Sequence, residues 1–201
     1  MKNTRDFYDK TANDWAERWY NNESYLPILK GFAGKLPSQA RVLDLCCGAG
    51  YESSRMKTLG FEMVGLDISP KSIEIAKEKN PGLDFYVGDM LEDYSFVGPV
   101  QGIMVIAGLV HLAKDKLTTA FEKMDRVLEP EGHLLFSIRQ GQGKIDEKSF
   151  VEIEGDLYDR DFYGHNLEDL IEASKDYFTY VDCLTEDFSN PWREYVFIKK
   201  S

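Results

Sequence analysis

The sequence places a carboxylate directly before a glycine-rich turn. In the segment VLDLCCGAG, residues 42–50, an apolar run contains Asp44 and the turn contains Gly48 and Gly50. Such a turn after a strand usually binds phosphate through backbone N–H groups and the N-terminus of the next helix. A dinucleotide-binding turn has a third glycine three residues after the second, where this chain has Ser53. Asp44 would also repel a pyrophosphate, so the pattern indicates a positively charged ligand without phosphate.

S-adenosylmethionine (SAM) meets these requirements, since it carries a sulfonium, an ammonium, a carboxylate and a ribose diol. Gly48 and Gly50 would let the backbone approach the methionine end of this ligand. The helix that follows Gly50 would accept the carboxylate at its N-terminus. Asp44 could hold the ammonium directly or through water, or could instead cap a helix or accept from backbone amides.

Two further acids end the next two predicted strands. Asp67 comes 17 residues after Gly50, a spacing at which an acid accepts hydrogen bonds from a ribose diol. Asp89, in VGDM, is placed to accept from the adenine amino group, with Met90 packing on the ring. Either acid could instead be a solvated turn residue, although Ser69 is the better candidate to cap the helix after Asp67.

A histidine follows the central predicted strand, at the edge of the sheet where doubly wound folds bind ligands. His111, in AGLVHL, is therefore the candidate general base, or else a core histidine that orients a loop. His133 begins a strand and is typical of a structural residue, whereas His165 is a candidate for substrate contact. Because the histidines are dispersed and no carboxylate cluster has metal-ligand spacing, we expect no metal.

Apolar strands alternate with helices from residue 41 onward. This alternation predicts an α/β fold with a doubly wound, mostly parallel sheet and right-handed crossovers. The last two strands have no helix between them, which predicts an antiparallel last strand. The seven predicted strands are RVLDLC, FEMVGLD, LDFYVGD, VQGIMVIAG, HLLFSI, YFTYVDCL and REYVFIK.

Two helices precede this alternation, over residues 5–20 and from Ser24 to Lys35. The first presents Tyr8, Ala12, Trp15 and Trp19 on one face, either as a lid over a ligand or as a packing surface. We expect a single domain, 1–201, divided into an N-terminal helical cap (1–36), a SAM-binding core (37–139), an insertion over the substrate side of the sheet (140–165) and a C-terminal helix with two strands (166–201).

The composition narrows the classes of partner. The chain has 24 basic and 35 acidic residues, a net charge of −11, so we expect no nucleic-acid substrate. The first residues lack an apolar signal segment, and the longest apolar run, GIMVIAGLV, is too short to span a membrane. The three cysteines fit neither a disulfide framework nor metal spacing. We therefore expect a cytoplasmic protein, as a monomer or homodimer.

Four segments in order resemble the Rossmann-like class I SAM-dependent methyltransferases: VLDLCCGAG, VGLDIS, VGDM and RVLEPEGHLLFSI. In addition, FYDKTANDWAERW is similar to the N-terminal helix that covers SAM in small-molecule members. The chain departs from the family at Cys46, which replaces the usual first glycine, and at Gln101, where an Asp often opens the fourth strand. The resemblance implies SAM contacts from Tyr8, Asp44, Cys46, Gly48, Gly50, Asp67, Ile68, Asp89, Met90 and Ala107.

The resemblance implies methyl transfer from SAM by in-line displacement. The acceptor motifs of the DNA-base enzymes with this fold are absent, because the chain reads IAGLVH after the fourth strand. Together with the acidic charge, this favours a small-molecule acceptor. Two alternatives stay open: a SAM-binding regulatory module without turnover, and a nicotinamide-dependent oxidoreductase, which Asp44 and Ser53 disfavour.

Overall fold

The computed structural model describes residues 1–201 and contains seven α-helices and eleven strands. In chain order these are α1 (Thr4–Tyr20), α2 (Leu26–Ala33), β1 (Arg41–Leu45), α3 (Tyr51–Thr58), β2 (Glu62–Asp67), α4 (Pro70–Lys79), β3 (Asp84–Val87), β4 (Val100–Val105), α5 (Leu117–Val127), β5 (Leu128–Arg139), β6 (Gly143–Lys144), α6 (Asp146–Ser149), β7 (Phe150–Ile153), β8 (Asp156–Asp159), β9 (Tyr163–Gly164), α7 (Leu167–Ser174), β10 (Phe178–Cys183) and β11 (Trp192–Lys199). None of the helices combines the length and apolar character needed to cross a bilayer.

The main sheet has seven strands in the order β10-β11-β5-β4-β1-β2-β3. Only β11 runs antiparallel, and it pairs with β5 on one side and β10 on the other. The predicted fold class is therefore confirmed. The strand order reverses between β1 and β4, which are direct neighbours. In doubly wound folds, ligands bind at the carboxyl ends of the strands beside such a reversal.

The central strands are buried on both faces, which explains their continuous apolar runs. Successive side chains of β1 point to opposite sides of the sheet. Val42 packs with Leu29 and Phe32 of α2, whereas Leu43 belongs to the larger core that includes Phe121 of α5. The helices on both sides thus hold the strand ends at one edge of the sheet.

Most predicted element boundaries agree with the structure, with two differences. Ser69 caps α4 as predicted, because its hydroxyl accepts from the Ser72 N–H at 3.0 Å. The strand predicted at HLLFSI begins earlier, because β5 starts at Leu128 and continues through an irregular residue, Glu131, with φ of 63°. The strand predicted at VQGIMVIAG ends earlier, because β4 stops at Val105.

Helix α1 and the insertion form a layer over the carboxyl edge of the sheet. Ala12 and Ala16 of α1 pack against Ala49 and Ile75. The start of the chain pairs with the insertion, since Lys2 donates to the Leu157 carbonyl at 3.0 Å and accepts from the Asp159 N–H at 2.8 Å. This pairing ties the N-terminal helix to the β7–β8 hairpin.

Candidate active site

A cavity of about 980 Å³ lies at the carboxyl ends of the central strands, between the sheet, α1 and the insertion. This volume is at the upper end of the range for small-ligand sites, which is roughly 300–1,000 Å³. The cavity therefore has room for a cofactor together with a second small molecule. The predicted site residues that line it are Tyr8, Cys46, Gly48, Asp67, Ile68, Asp89, Met90, Ala107 and His111, whereas Asp44 and Gly50 do not.

Asp67 lies at the end of β2 and connects it to the glycine turn. Its two carboxylate oxygens accept from the Gly48 N–H and the Ser69 N–H, both at 2.8 Å. Burial raises the pKa of this carboxyl, and the two backbone hydrogen bonds oppose that rise. Each carboxylate oxygen can accept a further hydrogen bond. Asp67 can therefore hold the turn and still accept from two ligand hydroxyls.

Asp89 and Met90 follow β3 on the same side of the cavity. The Asp89 carboxylate accepts from the Leu91 N–H at 2.9 Å, so the local turn orients it. Its other oxygen has no partner in the chain and can accept from a ligand amino group. Met90 is buried and belongs to the main hydrophobic core. This side of the cavity can therefore bind a flat apolar ring that carries one donor.

Cys46 and Ala107, at the ends of β1 and β4, both have positive φ values, 66° and 53°. Residues other than glycine rarely adopt this conformation, and such residues cluster at functional sites. A Cβ atom at Gly108 would lie 2.9 Å from the Cys46 sulfur. The missing Cβ of Gly108 therefore makes room for the cysteine that replaces the family's first glycine.

Gly50 serves packing rather than the cavity. It has φ of 79°, and a Cβ atom there would lie 2.9 Å from the Phe85 ring and 3.1 Å from the Ala76 Cβ. The close approach of α4 and β3 thus requires glycine at this position. Gly48 lines the cavity instead, and the nearest atom to a Cβ there is the Tyr51 hydroxyl oxygen at 3.5 Å.

Asp44 lies outside the cavity lining and is only 1% exposed. Its carboxylate accepts a hydrogen bond from the Ser53 hydroxyl at 2.6 Å. Burial raises the pKa of Asp44 to about 7, and the hydrogen bond from Ser53 opposes this rise. Ser53, which stands where a dinucleotide fold has its third glycine, therefore satisfies the buried acid. Asp44 thus lies behind the residues that line the cavity, and its contact with an ammonium, directly or through water, stays a prediction.

Replacing Asp44 with asparagine is expected to stabilise the ligand-free fold as pH rises. The pKa of Asp44 is about 7 in the folded protein and 3.8 in its ordinary state, so the unfolded chain ionises first as pH rises. The free energy of unfolding therefore falls between pH 3.8 and 7, by up to about 4 kcal/mol. Asparagine is neutral and keeps an acceptor for Ser53. Urea unfolding should therefore show an advantage for Asp44→Asn at pH 8 that shrinks toward pH 4.5. A pH-independent difference between the two proteins would contradict this view.

Tyr8 and His111 both line the cavity and are in direct contact. The Tyr8 hydroxyl lies 2.8 Å from His111 Nε2, and His111 Nδ1 lies 2.7 Å from the Asp161 carbonyl and 3.1 Å from the Arg160 carbonyl. A carbonyl only accepts hydrogen bonds, so Nδ1 carries the proton and Nε2 accepts from Tyr8. The insertion thereby selects the tautomer of His111.

The surroundings keep this pair neutral. Burial lowers the pKa of His111, and the positive charge of Arg160 lowers it further, although the Asp161 carbonyl opposes the change. Burial also raises the pKa of Tyr8 well above its ordinary value. Asp161 has φ of 41°, so the residue that orients the imidazole is itself in the left-handed region. A neutral imidazole with its basic nitrogen facing a hydroxyl can receive a proton.

His165 has a structural role. It is 1% exposed, and its Nε2 donates to the carbonyls of Leu109 and Leu112 at 3.2 and 3.0 Å. These carbonyls flank the turn that presents His111. His165 does not line the main cavity, so the expected substrate contact is not part of this structure.

Sequence reasoning did not identify several residues on the second half of the cavity, which is the part beside β5, β11 and the insertion. Ser137 and Arg139 at the end of β5 line it, as do Trp192 and Glu194 of β11 and Tyr25 before α2. Ser137 also orients the end of β4, because its hydroxyl accepts from the Ala107 N–H at 2.8 Å. Arg139 could have been identified, because it ends a parallel strand and such ends line the site. Trp192 and Glu194 could not, because β11 is antiparallel and reaches this edge with its first residues.

Comparison with known proteins agrees with this geometry. Residues 42–132 match the family model described as a methyltransferase domain. The protein named "Putative methyltransferase YqeM" of Bacillus subtilis is 33% identical over 114 residues, which cover 54% of this chain and 46% of that protein. An uncharacterized methyltransferase of Oceanobacillus iheyensis is 26% identical over 116 residues, 58% of this chain and 54% of that protein. The matches thus span about half the length of these relatives.

Solved structures extend the likeness to the whole fold. A TehB-like SAM-dependent methyltransferase from Corynebacterium glutamicum superposes with a TM-score of 0.74 and 20% identity, covering 95% of this chain and 99% of that one. The magnesium protoporphyrin IX methyltransferase of Synechocystis, crystallised with bound SAM, gives a TM-score of 0.69 and 16% identity, covering 98% and 95%. Residues 42–132 of the chain thus match a methyltransferase domain, and the chain shares its overall fold with SAM-dependent methyltransferases of known structure.

Proposed function

We propose that this protein transfers a methyl group from SAM to a small-molecule acceptor, and that His111 accepts the acceptor's proton through Tyr8. The observation that carries the proposal is the neutral Tyr8–His111 pair on the wall of the cavity that Asp67 and Asp89 also line. A cofactor site and a proton-accepting pair that line one cavity are what methyl transfer to a hydroxyl or amine requires.

The cavity residues at the ends of β1, β2 and β3 fit SAM. Asp67 has acceptor capacity for the ribose diol, Asp89 for the adenine amino group, and Met90 offers an apolar surface for the ring. Gly48 brings backbone close to the methionine end. When bound, SAM supplies a methyl group on a positively charged sulfur, which leaves in an in-line displacement.

Tyr8 and His111 would then activate the acceptor. The acceptor's hydroxyl or amine donates its proton to the Tyr8 oxygen, while the Tyr8 proton moves to His111 Nε2. The Asp161 carbonyl, 2.7 Å from Nδ1, stabilises the imidazolium that results. The proton later leaves His111 for solvent. A neutral starting imidazole favours this step, because only the neutral form can receive a proton.

A small acceptor is supported by the size of the cavity between the sheet, α1 and the insertion, and by the net charge of −11, which disfavours nucleic acid. Magnesium protoporphyrin IX methyltransferase, similar in fold, acts by its name on a small molecule. We place the reaction in the cytoplasm, since the three cysteines are unbridged. We propose that the protein acts as a monomer or homodimer, because one chain supplies all of the site residues named here.

Ligand-dependent unfolding tests the cofactor. SAM or S-adenosylhomocysteine (SAH) at a hundredfold its dissociation constant is expected to stabilise the fold by about 2.7 kcal/mol, which is roughly 5 to 10 °C in Tm for a domain of this size. NAD should cause no shift, because Ser53 replaces the third glycine and Asp44 lies beneath the turn. An equal shift with NAD, or none with SAH, would reject the assignment.

Turnover separates the enzyme from a regulatory module. We expect SAH release with at least one member of a panel of small hydroxyl, amine and thiol compounds. Stabilisation by SAM with no SAH release across the panel would favour the module without turnover.

A further inference from the structure

Three cations on the second half of the cavity lack acidic partners. Arg139, Lys148 and Arg160 line the cavity, and no carboxylate lies within 4.0 Å of any of them. The chain has 35 acidic residues against 24 basic ones, so partners were available. Cations left unpaired on the wall of a ligand-sized cavity indicate a ligand that supplies the negative charge.

The Arg160 side chain has other contacts in the chain, and Lys148 is exposed to solvent, whereas the Arg139 side chain is half-buried and has no partner. Arg160 Nε donates to the Lys148 carbonyl at 2.6 Å, and its guanidinium lies 4.9 and 5.0 Å from the rings of Phe7 and Phe162. Arg139 ends β5, is half-buried, and its side chain has no hydrogen-bond partner. Its planar group of N–H donors matches a carboxylate or phosphate in a bidentate arrangement.

Aromatic side chains connect Arg139 to the proton-accepting pair. Arg139 lies opposite Trp192 in the β5–β11 register. The Trp192 and Phe162 rings are 6.3 Å apart, and the Phe162 and His111 rings are 5.8 Å apart. A ligand held at Arg139 could lay an apolar body along this wall and bring its far end to Tyr8 and His111.

The acids nearby do not neutralise Arg139. Glu194 lies opposite Ser137 in the register, accepts from the Thr185 hydroxyl at 2.7 Å, and forms no ion pair. Burial raises the pKa of Glu194, which favours its neutral form. Glu186 and Asp187 also line the cavity but are exposed to solvent. The positive charge of Arg160 beside Phe162 adds to that of Arg139.

We propose that the methyl acceptor carries a carboxylate or phosphate group, which binds Arg139, and an apolar body, which packs on Phe162 and Trp192. This inference rests on the proposed function and names the chemical class of its acceptor. It places the nucleophilic atom of the acceptor at the end opposite its anionic group, near Tyr8.

Titration of SAH-loaded protein with three probes tests the proposal: benzoate, phenyl phosphate and the neutral benzamide. At least one anion should bind at least tenfold more tightly than benzamide. Arg139→Gln should weaken the binding of that anion by about tenfold to a hundredfold, the effect of losing charge-assisted hydrogen bonds. Comparison of the two anions distinguishes a carboxylate from a phosphate. Arg139→Lys should retain part of the preference, because it keeps the charge without the bidentate geometry.

Arg126→Gln is the matched control, since Arg126 is an exposed residue of α5 that pairs with Glu122 outside the cavity. It should bind the anions as the wild type does. Unchanged SAH affinity and Tm in Arg139→Gln would show that the fold and cofactor site are intact. Equal binding of all three probes, no binding of any, or tight anion binding by Arg139→Gln would overturn the inference. Failure of SAH itself to bind would instead reject the proposed function.

Discussion

Replacing His111 with alanine is expected to lower turnover by about a hundredfold or more, the usual contribution of a positioned general base. The Tyr8 hydroxyl would then lose its only proton acceptor, His111 Nε2 at 2.8 Å. SAM affinity should change little, because the proposed cofactor contacts come from the ends of β1, β2 and β3 rather than from this residue. Single-turnover kinetics and isothermal titration measure the two effects separately.

The pH profile gives a second readout of the same residue. The base must be neutral, and burial lowers the pKa of His111 below its ordinary value of 6.5. Turnover should therefore be retained at pH 6.5 and fall only as pH drops through the lowered pKa. The contribution of His111 to the free energy of unfolding depends on pH in the same direction. It is fully present above pH 6.5 and is lost as pH falls below that value, because the unfolded chain then binds the proton first.

Two variants control for indirect effects of the His111 substitution. Tyr8→Phe keeps the ring packing but removes the hydroxyl, so it should lower turnover in the same direction. His133→Ala alters a half-buried histidine of β5 outside the cavity and should leave turnover unchanged. Wild-type turnover in His111→Ala would reject its role as base, and would fit an acceptor such as a thiolate that needs no deprotonation.

Replacing Asp67 with alanine is expected to weaken SAM and SAH binding by tenfold to a hundredfold or more. Charge-assisted hydrogen bonds to the ribose are each worth roughly 1.5–3 kcal/mol. The substitution also removes the two acceptors that hold the Gly48 and Ser69 N–H groups, so the glycine turn loses its link to β2. Turnover at saturating SAM should change little, because the ribose contact is the same in the ground state and the transition state.

Asp84→Asn provides the matched control for this prediction. Asp84 is an exposed acid at the first residue of β3, at the opposite edge of the same sheet. It changes the net charge by the same amount without touching the cavity, so SAM affinity should stay at the wild-type value. If Asp67→Ala bound SAM as tightly as Asp84→Asn does, Asp67 would hold only the turn and not the ribose.

The layers of the fold and the cofactor half of the site could be predicted from local sequence patterns. Apolar runs with intervening helical periodicity can be recognised locally, because each strand and helix buries its own regular face. The ends of parallel strands must meet at one edge, so acids that follow β2 and β3 were predicted to face the same cavity, and Asp67 and Asp89 do. The position of His111 after β4 was predictable on the same grounds.

The contacts of these residues could not be predicted from the sequence, because they join distant segments of the chain. Tyr8 and His111 are 103 residues apart, and their hydrogen bond depends on how α1 lies over the sheet. The Asp161 carbonyl that selects the His111 tautomer comes from an insertion without regular periodicity. Asp44 shares its motif with ligand-binding acids, yet its side chain bonds to Ser53 outside the cavity. Arg139 meets Trp192 because β11 runs antiparallel to β5. Such contacts depend on packing between distant segments, which local sequence patterns do not encode.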